Sequence, residues 1–352
     1  MGTGTNMNMY APIPEQGALW RHAKVARDLG SPFVAAVLEA GQRQLDRAPR
    51  TAAMVRNWPG DPSCDAVAMR FNAALHALAR KGQPPALQAL YATQHDDFDG
   101  AIGEALAAND QFIATSLRDT PQTNEVGRSG AIAAALMVAH HAFGLPFELL
   151  EIGSSCGLNL NLGRYAFQLG NTKAGEADSP VRVAPTWSGA QLVGAPIDIV
   201  DARGTDLKPL RACDLATRDR LLSYIWADQP ERARRLEQAL DLAQQHPPRV
   251  DCQDAGPWLI DRLAEPQRQG VCRVVFHSMV LQYLPPANRQ AIADTIRQAG
   301  ARATLGRPLA WISFEWTPQR DDVQLLLTTW PYGQTRLLAS CHAYGGWIDW
   351  RG

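Results

Sequence analysis

The 352 residues contain only six cysteines (Cys64, Cys156, Cys213, Cys252, Cys272 and Cys341), scattered and without a CxxC pair. This excludes a zinc ribbon, a thioredoxin-like redox motif and a disulfide-stapled scaffold, and leads us to expect reduced thiols. Histidines at metal-ligand spacing are missing too: His140 and His141 are adjacent and face different sides of a helix, and no HExxH occurs, so no metal is expected. Charge of one sign is lacking, with a formal net charge of −1; without a global basic field, no nucleic-acid partner is expected. No apolar run reaches the length of a membrane span, and Met1 to Tyr10 lack the basic-plus-apolar pattern of a leader. The expectation is a soluble, cytoplasmic protein with no membrane partner and a disordered stretch at residues 1–14.

What is present falls into two rhythms. Residues 15–123 carry apolar residues at three- and four-residue spacing, over Gly17–Leu29, Pro32–Gln44, Cys64–Lys81, Pro85–Ala92 and Asp99–Ser116, which predicts a helical domain or cap. Asn124–Phe143 continues the helical text and opens the second domain, 124–352. From Pro146 strands and helices alternate: strands at Phe147–Ile152, Ile197–Ala202, Arg249–Gln253, Arg273–Ser278 and Leu309–Glu315, helices at Leu158–Phe167, Arg218–Trp226, Glu231–Gln244, Trp258–Glu265 and Pro286–Gly300. Such alternation predicts an α/β fold with a parallel, Rossmann-like sheet. Val323–Trp330 and Thr335–His342 flank Pro331-Tyr332-Gly333 as an antiparallel hairpin, and Trp347–Trp350 reads as a short further strand. Residues 168–194, rich in Gly, Pro, Ser and Thr, read as an insertion that covers the site.

In an open parallel sheet ligands bind beyond the carboxyl ends of the strands, which makes the residues there the candidates. The first strand ends in Glu151 and turns through Gly153-Ser154-Ser155-Cys156-Gly157, where bare backbone can meet a polar ligand. After the second strand stand Asp201 and Asp206, of which Asp201, at the expected strand end, is the better placed to accept ribose hydroxyls; the alternative is a solvated loop acid. Asp254-Ala255 after the third strand either caps a helix or stands with the other strand-end candidates. His277-Ser278 and Tyr283 follow the fourth strand, His277 as a base near neutral pH or as a structural histidine, Tyr283 as a ring for stacking.

These motifs together, Asn124-Glu125-Val126-Gly127-Arg128, Glu151 through Asn159-Leu160, Arg164-Tyr165, Arg203-Gly204-x-Asp206, His277-Ser278, Leu281-x-Tyr283-Leu284-Pro285 and Trp330-Pro331-x-Gly333, resemble the bacterial family known as domain of unknown function 2332. The order of elements resembles the class I S-adenosylmethionine-dependent methyltransferases. That resemblance implies S-adenosylmethionine as cofactor, held by Glu151, Gly153, Ser155, Gly157, Asn159, Asp201, Asp206, Asp254, Ala255, His277 and Ser278. It also implies a small-molecule acceptor near His277 and Tyr283, with Asn124, Glu125, Arg128, Arg164 and Tyr165 in support. Ser155 stands where such turns carry a glycine.

Two rival readings stay open. Gly153-x-Ser155-x-Gly157 also spells a nucleophile elbow, so a serine hydrolase would use Ser155 with Asp254 or Asp322 and His342. A methyltransferase-like scaffold or sensor without catalysis is the other. A dinucleotide fingerprint fails at Ser155 and Leu158, and no P-loop lysine follows.

Overall fold

A computed structural model describes residues 17–352, and the expectation for residues 1–14 lies outside them. The chain divides into two compact units, residues 17–121 with Ser223–Pro230, and Gln122–Leu222 with Glu231–Gly352. The first unit is built from helices α1 (Ala18–Asp28), α2 (Pro32–Gln44), α3 (Pro49–Arg56), α4 (Val67–Arg80), α5 (Pro85–Tyr91) and α6 (Phe98–Arg118). Their apolar stripes meet in a core that includes Leu19, Val34, Phe71, Leu75, Ile102 and Leu106. Two caps are local chemistry, Ser31 Oγ accepting from Val34 and Asp97 from Gly100, while Asp110 of α6 accepts from Thr51 at the start of α3, 59 residues away.

The second unit holds α7 (Ser129–Phe143), α8 (Leu215–Ser223), α9 (Pro230–Gln245), α10 (Ala255–Ala264) and α11 (Pro286–Gly300). Its strands are β1 (Phe147–Ile152), β2 (Ala166–Leu169), β3 (Thr172–Gly175), β4 (Arg182–Val183), β5 (Thr186–Gly189), β6 (Ile199–Asp206), β7 (Val250–Cys252), β8 (Cys272–Ser278), β9 (Leu309–Trp316), β10 (Val323–Trp330), β11 (Gln334–Cys341) and β12 (Trp347–Trp350). Nine of them form one sheet in the order β5-β12-β11-β10-β9-β8-β1-β6-β7, and β3-β2-β4 make a second. From β7 to β9 neighbouring strands are parallel, and from β9 to β12 they form an antiparallel meander.

Numbered among themselves in chain order, the five parallel strands run 3-2-1-4-5, so the order reverses between β1 and β8. That reversal is where an open sheet of this kind leaves a crevice beyond its carboxyl edge. β1 itself is almost wholly buried, as expected of a central parallel strand covered on both faces. Leu150 and Ile152 pack with Trp258 and Leu259 of α10 and with Ile292 and Ile296 of α11. Phe147, Leu149 and Glu151 alternate to the other face, where the Phe147 ring lies 6.3 Å from that of His140 on α7. A cross-strand ion pair, Arg273 Nε to Glu148 Oε2 at 2.9 Å, joins β8 to β1; Arg273 also donates to the last carbonyls of α10, Arg262 and Glu265.

Two expectations need correction. The stretch read as a helix over Leu158–Phe167 is a 3-10 helix, Leu158–Arg164, running into β2. The second parallel strand ends at Asp206, four residues beyond the expected Ala202. Residues 168–194, read as an insertion, carry the end of β2 and all of β3 to β5, and β5 pairs in parallel with β12 at the far edge of the main sheet.

Candidate functional site

The site is assembled around the turn that follows β1, at the reversal of strand order. Glu151 is 2% exposed, Ser155 3% and Asn159 1%, and in each case one side-chain oxygen (Glu151 Oε2, Ser155 Oγ, Asn159 Oδ1) is buried without a hydrogen-bond partner. Buried polar atoms are nearly always paired, so three orphans within nine residues make this turn the candidate site. Burial pushes the Glu151 carboxyl up to about 8; hydrogen bonds from Ser154 and Asn159 oppose the rise and the charge of Asp206 adds to it. A carboxyl at neutral pH in such surroundings is mostly protonated.

The rest of the turn is already satisfied by the chain. Ser155 has φ +53° and its N–H donates to Asp206 Oδ2 at 2.9 Å, whose Oδ1 takes the amide of Lys208 at 2.9 Å. The Leu158 N–H donates to Asn124 Oδ1 at 2.8 Å, and Ser154 N–H to the Thr205 carbonyl at 2.9 Å. Gly204 is needed because a Cβ there would stand 1.9 Å from Ser154 Oγ, which explains Arg203-Gly204-x-Asp206: the glycine admits the turn and the aspartate binds it.

Asp206 therefore holds the position assigned to Asp201. Asp201 pairs in register with Glu148, is exposed, and binds the Ala202 amide and the Arg249 guanidinium. It lies five residues back along β6, roughly 16 Å from the strand end at about 3.3 Å per residue. Asp254 caps α10 by accepting from Gly256 at 2.9 Å, and with Ala255 it also lines a cleft of about 380 Å³ between the first turns of α10 and α11.

His277 has a fixed role. Its Nε2 accepts from Trp311 Nε1–H at 3.0 Å, so its Nδ1 carries the proton and donates to Glu315 Oε1 at 2.7 Å. Both nitrogens of this fully buried ring have partners, the arrangement of the structural histidine that the sequence left open beside the base. The register pairs His277 with Ser313, placing Trp311 and Glu315 two residues to either side on β9. Tyr283 is 40% exposed on a 3-10 turn, Leu281–Tyr283. Ser278 offers its carbonyl to Arg128.

Sequence reasoning under-rated Asn124, Glu125 and Arg128. Asn124 holds the turn; Glu125 accepts from Gly127 and from Arg232 of α9 at 2.6 Å; Arg128 donates to the carbonyls of Ala343 and Ser278. Burial alone would raise the Glu125 carboxyl, but Arg232 and Arg128 hold it below the ordinary value. The Arg232 guanidinium also lies 4.0 Å over the Tyr344 ring, a contact with no sequence signal. Of the remaining pair, Tyr165 is fully buried with its hydroxyl donating to the Leu158 carbonyl, whereas Arg164 faces Glu176 at the surface, 3.9 Å away.

The family model described as "Uncharacterized protein conserved in bacteria (DUF2332)" matches residues 16–350. The chain belongs to this family. It matches no curated protein and no solved structure. In this DUF2332 member the serine hydrolase constellation does not assemble: Ser155 Oγ has no hydrogen-bond partner, Asp254 caps α10, and His342 Nδ1 accepts from Tyr344 and Gly346 in the turn before β12. Among the described residues no group of three or more His, Cys, Asp or Glu is arranged to hold a metal, and no helix is long and apolar enough to cross a membrane.

The glycines of the turn serve the chain's own packing. At Gly157, φ is +73° and a Cβ would meet Val250 and Pro248 at 2.7 and 2.8 Å. Gly157→Val is accordingly expected to lower stability by more than about 1 kcal/mol through strain and overpacking. A urea midpoint equal to that of the parent protein would contradict this.

Proposed function

We propose that this chain binds S-adenosylmethionine at the carboxyl edge of the parallel strands and transfers its methyl group to a small-molecule acceptor. The observation that carries the reading is Glu151: a buried carboxyl with an unpartnered oxygen at the reversal of strand order, the chemistry that receives the ammonium of an amino acid. Ser155 and Asn159 bring further acceptors, and the apolar cleft with Asp254 at its rim suits a planar aromatic amine.

Glu151, Ser155, Asn159, Asp254 and Ala255 would hold the cofactor, with Asp206 and Asn124 fixing the turn. The sulfonium supplies the activation of the methyl group. With His277 committed to Glu315 and Trp311, the chain's share is alignment of an acceptor that is already nucleophilic. Tyr283, the exposed ring on that edge, is the residue for the acceptor to meet.

The test is titration calorimetry with S-adenosylmethionine and S-adenosylhomocysteine, NAD serving as control, in two pH 7 buffers of different ionisation enthalpy. One-to-one binding of the adenosyl compounds alone is expected, with a proton released as Glu151 ionises against the ligand ammonium. Absence of binding by folded, ligand-free protein would remove the reading. Binding without turnover on any acceptor would favour the non-catalytic sensor, for which the committed His277 already speaks.

A further inference from the structure

Gly153 sits at the reversal of strand order with φ +69°. The space a side chain would take there is filled from within the chain. A Cβ on Gly153 would stand 2.5 and 2.8 Å from the two methyl groups of Val280. Val280 belongs to a short segment that starts at Met279, left-handed at φ +59°, continues through the Leu281–Tyr283 turn and ends before Pro285. A non-glycine residue held left-handed is a strained backbone position.

Glu315, the Phe314 carbonyl, which takes the Met279 amide at 2.9 Å, and Arg320, which donates to Gln282 Oε1 at 3.1 Å, hold this segment closed. Glu315 Oε1 accepts from the amides of Val280 at 2.9 Å and Leu281 at 3.2 Å, as well as from His277 Nδ1. The carbonyl of Ser278, just before the segment, is tied by Arg128. Beyond these bonds Val280 and Leu284 pack half-buried against the cluster of Leu150, Trp258 and Ile292, and Tyr283 is exposed. Beside the plugged glycine stand the orphaned oxygens of Glu151, Ser155 and Asn159, which need an occupant that the closed segment keeps out.

We propose that Met279–Leu284 is a gate: Val280 is a plug seated on Gly153, Glu315 is the latch, and a ligand enters beside Glu151 only when the plug lifts. This rests on the Glu151 crevice being a ligand site. The local strain at Met279 and the exposed turn favour opening of this segment alone, without unfolding of β8 or β9.

The test reads the gate without a ligand. Ser155→Cys, made in the full chain with Cys156→Ala, is labelled with iodoacetamide, and the 153–160 peptide is followed by mass spectrometry. Labelling is expected to be slow, and Val280→Gly or Glu315→Gln to accelerate it by about tenfold or more, the signature of local opening. Leu338→Ala, a core truncation in β11 outside the cluster on which Val280 and Leu284 pack, should leave the rate near the parent's. Equal rates for parent, Val280→Gly and Glu315→Gln in folded protein would overturn the gate. So would an equal acceleration by Leu338→Ala, since labelling would then report general loosening.

Binding of S-adenosylmethionine separates the two proposals. If the labelling rates respond but neither the parent nor Val280→Gly binds the adenosyl compound, the cofactor reading falls and the gate stands. If the compound binds the parent while labelling is indifferent to Val280 and Glu315, the gate falls and the cofactor reading stands.

Discussion

Glu151→Gln is expected to stabilise the protein, and increasingly so as the pH rises. The folded state keeps a proton on Glu151 up to about 8, whereas the unfolded chain releases it near 4.5. Between those values the native state binds more protons, so its stability falls with rising pH at about 1.4 kcal/mol per unit. Below about 4.5 this contribution vanishes, and above 8 the loss is complete. Glutamine keeps the shape and the neutral form but does not titrate. The two proteins should therefore be alike at pH 4 and differ by several kcal/mol, on the order of 5, at pH 8. Denaturant unfolding across this range gives the answer, and parallel pH profiles would show that Glu151 is not held protonated. Bound ligand with an ammonium group would compress the difference, because it stabilises the ionised form.

Glu125→Ala is expected to act in the opposite direction, with a loss of about 3–5 kcal/mol, the cost of leaving buried cations without their counter-charge. Glu125 is buried, paired with Arg232 at 2.6 Å and close to Arg128, which is buried as well. Because its folded pKa is depressed, the stability it supplies is present above about 4.5 and is lost as the pH falls below that value. A double-mutant cycle of Glu125→Ala with Arg232→Ala should return a large favourable coupling. A coupling near zero would place the effect in packing against Tyr344 instead.

Much of the fold was legible because burial writes a plain pattern, on both faces of β1 and on one face of β10, β12 and α11. β1, β10, β12 and α11 fall on their expected limits. β6 was cut short because its last residues, Arg203-Gly204-Thr205-Asp206, read as a loop, yet each is polar or small for a partner: Asp251 for Arg203, Ser154 for Gly204, the Gln253 carbonyl for Thr205 and Ser155 for Asp206. That error moved the chosen aspartate from Asp206 to Asp201. The insertion strands are too short, and their residues too much like turn formers, to signal pairing with a strand 160 residues later, as Ser188 does with Asp349. α3 escaped notice as an eight-residue helix opened by Pro49 and bounded by Arg50 and Arg56.

The candidate site was legible in its residue types and illegible in their commitments. No sequence pattern states that both nitrogens of His277 are occupied, although a Trp-x-Ser-x-Glu strand beside a histidine strand is, after the fact, the signal. From sequence alone the Asn-Glu-x-x-Arg segment stands only in support of the acceptor site, without partners of its own. Its true partners, Leu158, Arg232, Ala343 and Ser278, come from four separate stretches of the chain.

The contact between Arg128 and the Ala343 carbonyl, with Gly345 set so close to Gly127 that a Cβ would stand 2.3 Å from its backbone, also carries a temporal consequence. The anchor lies 215 residues further along the chain, in the turn between β11 and β12. Bracing of the segment that holds the turn after β1 therefore waits on a contact of high sequence separation, the kind whose loop-closure cost delays its formation during folding.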